Sequence, residues 1–327
     1  MIMKKSLVIV GAGAWGSALA IALSDKFEEI FLIANNKKFI SKIGSKHPAL
    51  TETFASNIKL STDLSLIKNT KAILIAAPSY SFSGILFSIK PYLNNKHLIA
   101  WATKGFDPNN KCLLHETFQK ILPDYHPCVI SGPTFAVEIA KKKPSAIVVA
   151  SKDHNTQEFW GDAIQTELLR AYKNNDIVGV EVGGSVKNVL AIAAGIANGL
   201  GFGANTQAAL ITRGLAEMTR LGVSLGAEKI TFQGLSGMGD LILTCSDDLS
   251  RNRRFGKELA NNASVNEALK VVGATVEGLN ALKIVISIAN NLKIEMPICD
   301  QVMAVTEGKI KPADAVKELL LRKPVQE

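Results

Sequence analysis

The stretch SLVIVGAGAWGSALAIAL, residues 6–23, decides the fold. It opens as an unbroken β-favouring run, Ser6–Val10, and closes as an apolar run of helical composition, Ser17–Leu23. Between them stand Gly11, Gly13 and Gly16 in a G-x-G-x-x-G spacing. A strand that turns through glycines into a helix offers free backbone N–H groups, at the positive end of that helix, to an anion. The first glycine permits the tight turn, the second lets a pyrophosphate approach the backbone, and the third lets the helix pack closely on the sheet. The pattern predicts a dinucleotide-binding turn with Gly11, Gly13 and Gly16 among its contacts. The same stretch has the basic head and apolar run of an export signal, but the glycines interrupt the run at a spacing that the turn explains.

Working outward, further near-continuous runs rich in Val and Ile occur at 30–34, 71–78, 97–103, 126–133 and 145–151. Such runs suit strands buried on both faces of a parallel sheet, and their alternation with helical stretches is the βαβ signature. Pro78, Gly105 and Gly132–Pro133 punctuate their C-terminal ends, where open α/β sheets bind ligands. Beyond about residue 180 the strands vanish. Val186, Val189, Leu190, Ala193, Ala194 and Ala197 follow helical spacing. The chain therefore reads as an α/β nucleotide-type domain with a mostly parallel sheet over residues 1–180, and an all-α domain, holding substrate and catalytic groups, over 181–327.

Composition narrows the partners. In 327 residues, 47% hydrophobic and 20% charged content excludes a largely disordered chain. Four cysteines without a C-x-x-C pair exclude a disulfide scaffold and a cysteine-based zinc module, so no metal site is expected and a reducing, cytoplasmic compartment is favoured. A net charge of +8 is compatible with nucleic acid, an anionic surface or small anions. Short basic runs without interleaved aromatics argue against nucleic acid. The uncharged segment 188–212 carries asparagines, a glutamine and glycines, which make it a poor membrane span; it reads as buried structure of a soluble chain.

Several side chains carry candidate chemistry. The second strand ends in Ala34-Asn35-Asn36-Lys37-Lys38, with no acid to bind a ribose 2′-hydroxyl and two lysines to meet a 2′-phosphate. That composition favours acceptance of NADP beside NAD. All five histidines lie at or before His154, so the helical half must move protons with something else. Lys187 is the only charged residue between Val186 and Asn198. Either it is buried with a partner or a task, or it sits at a helix start and snorkels to solvent. Burial would bring its proton exchange towards neutral pH. Lys104 follows a strand end, and Ser250-Arg251-Asn252 reads as a capped helix start able to clamp a phosphate. Asp240 is placed to bond a substrate hydroxyl or the lysine, or simply to cap its helix.

Taken in order, the motifs GAGAWGSALA, AAPS, ATKGF, SGPTFAVEIA, SVKNVLAIAAGIANGLGFGANTQAALITRGLAEM, GLSGMGDLILTCSDDLSRNRRFG and VEG resemble those of bacterial-type NAD(P)-dependent glycerol-3-phosphate dehydrogenases. The resemblance runs from about residue 6 to 310 and implies a Rossmann-type N-terminal domain followed by an all-α domain. It implies reduction of dihydroxyacetone phosphate to sn-glycerol 3-phosphate, a phospholipid precursor, with Lys187 as the general acid/base. It also implies substrate contacts from Lys104, Gly132, Thr134, Lys187, Asp240, Ser250, Arg251 and Asn252. Cofactor contacts would come from Ala14, Trp15, Asn35, Lys104, Ala136, Arg251, Thr275 and Glu277. One departure is Ala14, where the family commonly has serine, so a hydroxyl contact to the cofactor phosphates is lost. Two rivals stay open. A β-hydroxyacid dehydrogenase shares the Gly183-x-x-x-Lys187 spacing, although Ala191 replaces its asparagine. A non-catalytic dinucleotide-sensing protein would share the glycine turn. A homodimer is compatible with the uncharged 188–212 region.

Overall fold

The computed structural model describes residues 4–261, 263–273 and 275–321. Among the described residues the strands are β1 Lys4–Val10, β2 Phe27–Ile33, β3 Ile58–Ser61, β4 Ala72–Ile75, β5 Leu98–Trp101, β6 Phe106–Asp107, β7 Cys112–Leu113, β8 Val129–Ser131, β9 Ser145–Ala150 and β10 Leu169–Asn174. The early helices are α1 Ala14–Ala22, α2 Lys37–Ile43, α3 Phe82–Ile89, α4 Leu114–Ile121, α5 Ala136–Ala140 and α6 His154–Ile164. Then follow α7 Ile177–Gly199, α8 Ala204–Ser224, α9 Asp240–Ser246, α10 Arg251–Ala260, α11 Val265–Val272, α12 Glu277–Leu292, α13 Pro297–Thr306 and α14 Pro312–Leu321. The chain divides into two compact units between Glu181 and Val182.

In the first unit eight strands form one sheet in the order β10-β9-β8-β5-β4-β1-β2-β3. Pairing is parallel except between β8 and β9, which run antiparallel. Leu7, Val8 and Ile9 of β1 and Ile73, Leu74 and Ile75 of β4 are wholly buried, as apolar runs covered on both faces must be. Strand order reverses between β1 and β4, and ligands bind at such a switch point in open α/β sheets. The six apolar runs all contain strands. The edge strands β3 and β10 escape a sequence reading because IKLS is short and LRAYKN exposes Arg170 and Tyr172. On one face Trp101 packs against Phe82 and Phe118, with ring centroids 5.3 and 5.1 Å away. Its Nε1 donates to Glu181, whose carboxylate also accepts from the backbone N–H of His115 and bonds the His115 ring at 2.6 Å.

The second unit is helical. Gly195 and Gly199 on α7 face Gly256 and Ala260 on α10, a small-x-x-x-small pair on each helix. A Cβ on Gly195 would lie 2.0 Å from the Arg253 carbonyl oxygen, and one on Gly256 would lie 2.1 Å from that of Ile192. The two backbones touch, and only hydrogen in place of a side chain permits it. α7 is long and apolar enough to cross a membrane, yet 94% of its most apolar window is buried within the chain. The expectation that 188–212 is buried holds only for its first half; Gly201–Asn205 and much of the following turn of α8 are exposed, where small and polar residues replace the apolar run.

Glu217 of α8 is 3% exposed and accepts hydrogen bonds from the backbone N–H groups of Ile298 (2.7 Å) and Cys299 (3.4 Å), the first turn of α13. It thus caps a helix that begins with Pro297 and has no cap of its own. Burial pushes its carboxyl up to about 7, against the smaller opposing pull of those two bonds and Arg220. Between the unfolded value of 4.5 and about 7 the folded chain holds a proton that the unfolded chain has released, so this group's contribution to stability is lost as pH rises through that window. Glu217→Gln, which keeps an acceptor for Ile298, is expected to flatten thermal or urea stability between pH 5 and 7.5 by on the order of 2–3 kcal/mol. An unchanged pH slope would show that Glu217 titrates normally.

Candidate active site

In the first unit the chemistry gathers at the C-terminal ends of β1, β4, β5 and β8. Gly11 has φ +120°, and a Cβ there would stand 2.5 Å from the Ala76 carbonyl oxygen at the end of β4. A Cβ on Gly16 would stand 1.9 Å from the Gly11 carbonyl oxygen, whereas Gly13 has nothing within 4 Å of its Cβ position. Two glycines therefore close the turn and the middle one leaves open space before α1, whose first turn carries no acid. A dinucleotide pyrophosphate fits that arrangement of free N–H groups and open backbone. Ala14 is the first residue of α1, and the Trp15 indole donates to the Ala102 carbonyl at 3.2 Å, joining the turn to the end of β5.

Lys104 follows, half-buried. Its Nζ donates to the Gly132 carbonyl at 3.0 Å, and the Thr134 hydroxyl donates to the same oxygen at 3.3 Å. Thr103 fixes the approach by donating to the Ala77 carbonyl at 2.8 Å. Lys104, Gly132 and Thr134 are thus brought together, with Ala136 opening α5 just beyond. Asn35 stands exposed after β2 and accepts from the Asn36 amide at 3.0 Å. Asn36 caps α2 by accepting from the Phe39 N–H, and Lys37 and Lys38 form the exposed first turn.

The second unit holds the buried lysine. Lys187 is 6% exposed, so it does not snorkel. Its Nζ donates to Asp240 Oδ1 and, at 2.9 Å, to the Thr244 hydroxyl. Thr244 in turn donates to the Asp240 backbone carbonyl at 2.6 Å. Asp240 is wholly buried, and its charge offsets the cost of burying an ammonium group. Sequence spacing explains the meeting. Gly183 lies one turn before Lys187 on α7, and a Cβ there would be 2.3 Å from the Ser236 carbonyl oxygen. Leu235–Gly239 is a turn of π-helix that leads straight into Asp240. The bare face at Gly183 lets this turn lie on α7, which brings the carboxylate to the lysine.

A second network ties in Ser250 and Asn252. Ser250 caps α10 by accepting from the Arg253 N–H at 3.2 Å. Asn252 donates to Asn188 Oδ1 at 2.9 Å and accepts from the Gly278 N–H at 2.9 Å, tying α10 to α7 and to the start of α12. Glu277, half-buried, opens α12; Thr275 is exposed just before it, as is Arg251 in the first turn of α10. Two groups escape a sequence reading. Thr244 sits four residues after Asp240 on one helix face, and Asn188 is the neighbour of Lys187 with a buried Nδ2 that lacks a partner among the described residues. The i+4 spacing on α9 is the signal that points to Thr244.

A nucleotide-binding α/β unit, and a helical unit built around a buried lysine–aspartate pair, define the two-domain class of NAD(P)-dependent dehydrogenases. Family models described as the NAD-dependent glycerol-3-phosphate dehydrogenase N-terminus and C-terminus match residues 6–157 and 176–317. Glycerol-3-phosphate dehydrogenase (NAD(P)+) of Ruthia magnifica is 58% identical over 99% of this chain and 100% of its own length. That of Idiomarina loihiensis is 45% identical, with 97% of each chain covered. The crystal structure of glycerol-3-phosphate dehydrogenase from Coxiella burnetii superposes with a TM-score of 0.93 at 39% identity, covering 98% of this chain and 99% of that one. The chain belongs to the bacterial-type NAD(P)-dependent glycerol-3-phosphate dehydrogenase family.

The π-turn contact makes a sharp prediction. Gly183→Ala drives a methyl into the Ser236 carbonyl and displaces Asp240, so kcat should fall by up to about 100-fold, the cost of a ~1 Å misplacement. Circular dichroism and steady-state kinetics check this; unaltered kcat would show that the contact yields without moving the pair.

Proposed function

We propose that this chain reduces dihydroxyacetone phosphate to sn-glycerol 3-phosphate, reversibly, with Lys187 as the proton donor in the reducing direction. The observation that carries the reading is the buried Lys187–Asp240 pair in the same helical unit as the capped, arginine-bearing start of α10. NAD(P)H, when bound, supplies the hydride that adds to the substrate carbonyl carbon. Negative charge then develops on the carbonyl oxygen, and the ammonium of Lys187 delivers the proton that completes the alcohol. Asp240 and Thr244 orient that ammonium. Arg251, Asn252 and the N-terminus of α10, capped by Ser250, hold the substrate phosphate, with Lys104, Gly132 and Thr134 as further contacts. Gly11, Gly13, Ala14, Trp15, Gly16, Asn35, Ala136, Thr275 and Glu277 make up the cofactor set, with Lys104 and Arg251 serving both ligands.

Residues 1–180 then serve as the dinucleotide domain and 181–327 as the substrate domain. The exposed Asn35, Lys37 and Lys38 support use of NADP beside NAD, since no carboxylate stands there to repel a 2′-phosphate. The same reading places the protein in the cytoplasm, where the free thiols of Cys112, Cys128, Cys245 and Cys299 persist, and its product enters phospholipid synthesis. Assembly as a homodimer belongs to it as well.

The direct test follows NADPH oxidation with dihydroxyacetone phosphate and then with a panel of β-oxo acids. Turnover of the phosphate ester alone is expected; preference for an oxo acid would overturn the reading in favour of a β-hydroxyacid dehydrogenase, and no turnover of either would favour a sensing role. Arg251→Ala is expected to raise KM for dihydroxyacetone phosphate by roughly 10- to 100-fold, the loss of a charge-assisted contact. Asn35→Asp should raise the KM for NADPH relative to NADH by about tenfold, equal to ~1.4 kcal/mol of repulsion. An unmoved KM in either variant removes that residue from its role.

A further inference from the structure

The run Arg251-Asn252-Arg253-Arg254 holds three like charges that the fold treats differently. Arg251 and Arg254 are exposed, whereas Arg253 is 6% exposed. At 100° per residue, Arg253 lies across the helix from Arg251. Its Nη1 donates to Asp248 Oδ1, and its Nε is buried without a partner among the described residues. Lys257, one turn on, donates to the other Asp248 oxygen at 2.7 Å. The Arg253 backbone is equally constrained. Its N–H is taken by the Ser250 cap, and its carbonyl lies against α7 where a Cβ on Gly195 would be only 2.0 Å away.

Asp248 sits in the four-residue connection between α9 and α10. Asp247 closes that connection by accepting from Leu249 N–H at 2.7 Å through its side chain and from Ser250 N–H at 3.1 Å through its carbonyl. The connection is thus curled upon itself and tied by Asp248 to an arginine whose backbone cannot shift. Ser250 and Arg251 lie between the two tied points. Without the carboxylate, a buried guanidinium would be left uncompensated on a fixed backbone, and the connection bearing Ser250 and Arg251 would lose its tether to it.

We propose that Asp248 is a positioning residue for recognition of the substrate's phosphate: by holding Arg253, it sets the Ser250–Asn252 helix start in the pose that receives that group. The proposal rests on the reading of Arg251 as a phosphate contact. A residue that only stabilises the fold lowers activity towards every substrate alike; with NADPH saturating, so that the Arg251 contact to the cofactor no longer counts, a residue that sets the phosphate site acts on phosphorylated substrate alone. The test compares dihydroxyacetone phosphate with unphosphorylated dihydroxyacetone.

Asp248→Asn should lower kcat/KM for the phosphate ester by roughly tenfold or more, chiefly through KM, while kcat/KM for dihydroxyacetone stays within about twofold. Asp248→Glu, which restores the charge, should recover most of the difference. Arg253→Lys keeps the buried charge but loses the planar fork, and it should show the same selective loss even where Asp248→Asn does not fold. Equal losses on both substrates, or no loss on either, would overturn the proposal. Arg251→Ala separates the two levels. If it abolishes the preference for the phosphate ester while Asp248→Asn and Arg253→Lys keep it, the clamp stands and the positioning role falls. If Arg251→Ala itself keeps the preference, the clamp reading falls and this proposal with it.

Discussion

An ammonium and a carboxylate meet, largely shielded from water, at Lys187 and Asp240, and much of the helical unit is arranged to allow it. Burying either charge alone would cost several kcal/mol, and removing one partner of such a pair typically costs about 3–5 kcal/mol. The pair forms because α7 is bare where neighbours must come close. Gly183 admits the π-turn that delivers Asp240, and Gly195 admits the backbone of α10. One residue before that contact on α10, Asn252 joins Asn188 and the Gly278 N–H, so the segments carrying Lys187, Arg251 and Glu277 share one hydrogen-bonded network. Glycine is a poor helix former, and its use on α7 is the cost of this closeness.

The first unit follows the same rule of backbone approach with a different purpose. Gly11 and Gly16 are filled by neighbouring backbone, while Gly13 faces open space. Lys104 is held against the Gly132 carbonyl, a positive group poised at a strand end. The net charge of +8 is thus partly explained by groups suited to small anions, with Lys104 in one unit and Arg251 in the other.

What was legible in the sequence follows from how local each signal is. The glycine turn is written in consecutive residues, and the apolar runs mark strands covered on both faces. Edge strands β3 and β10 face solvent on one side and read as polar chain. Lys187 was visible as a lone charge in an apolar helix, but its burial hinged on a carboxylate 53 residues away, a distance no periodicity reports. For the same reason three roles for Asp240 are compatible with the sequence. Asn188 carries no charge and gives no signal, and the i+4 spacing that points to Thr244 counts only once Asp240 has a place. In the arginine run, only the helical angle separates the buried Arg253 from its exposed neighbours.

Proton delivery by the buried lysine is measured most directly by single-turnover reduction of dihydroxyacetone phosphate by Lys187→Ala, with NADPH prebound and with small primary alkylamines added. If Lys187 delivers the proton, the rate falls by roughly 100- to 10,000-fold, the usual contribution of general acid catalysis, and is partly restored in proportion to added alkylammonium. Reduction by Lys187→Ala at nearly the wild-type rate, with no amine present, would contradict it.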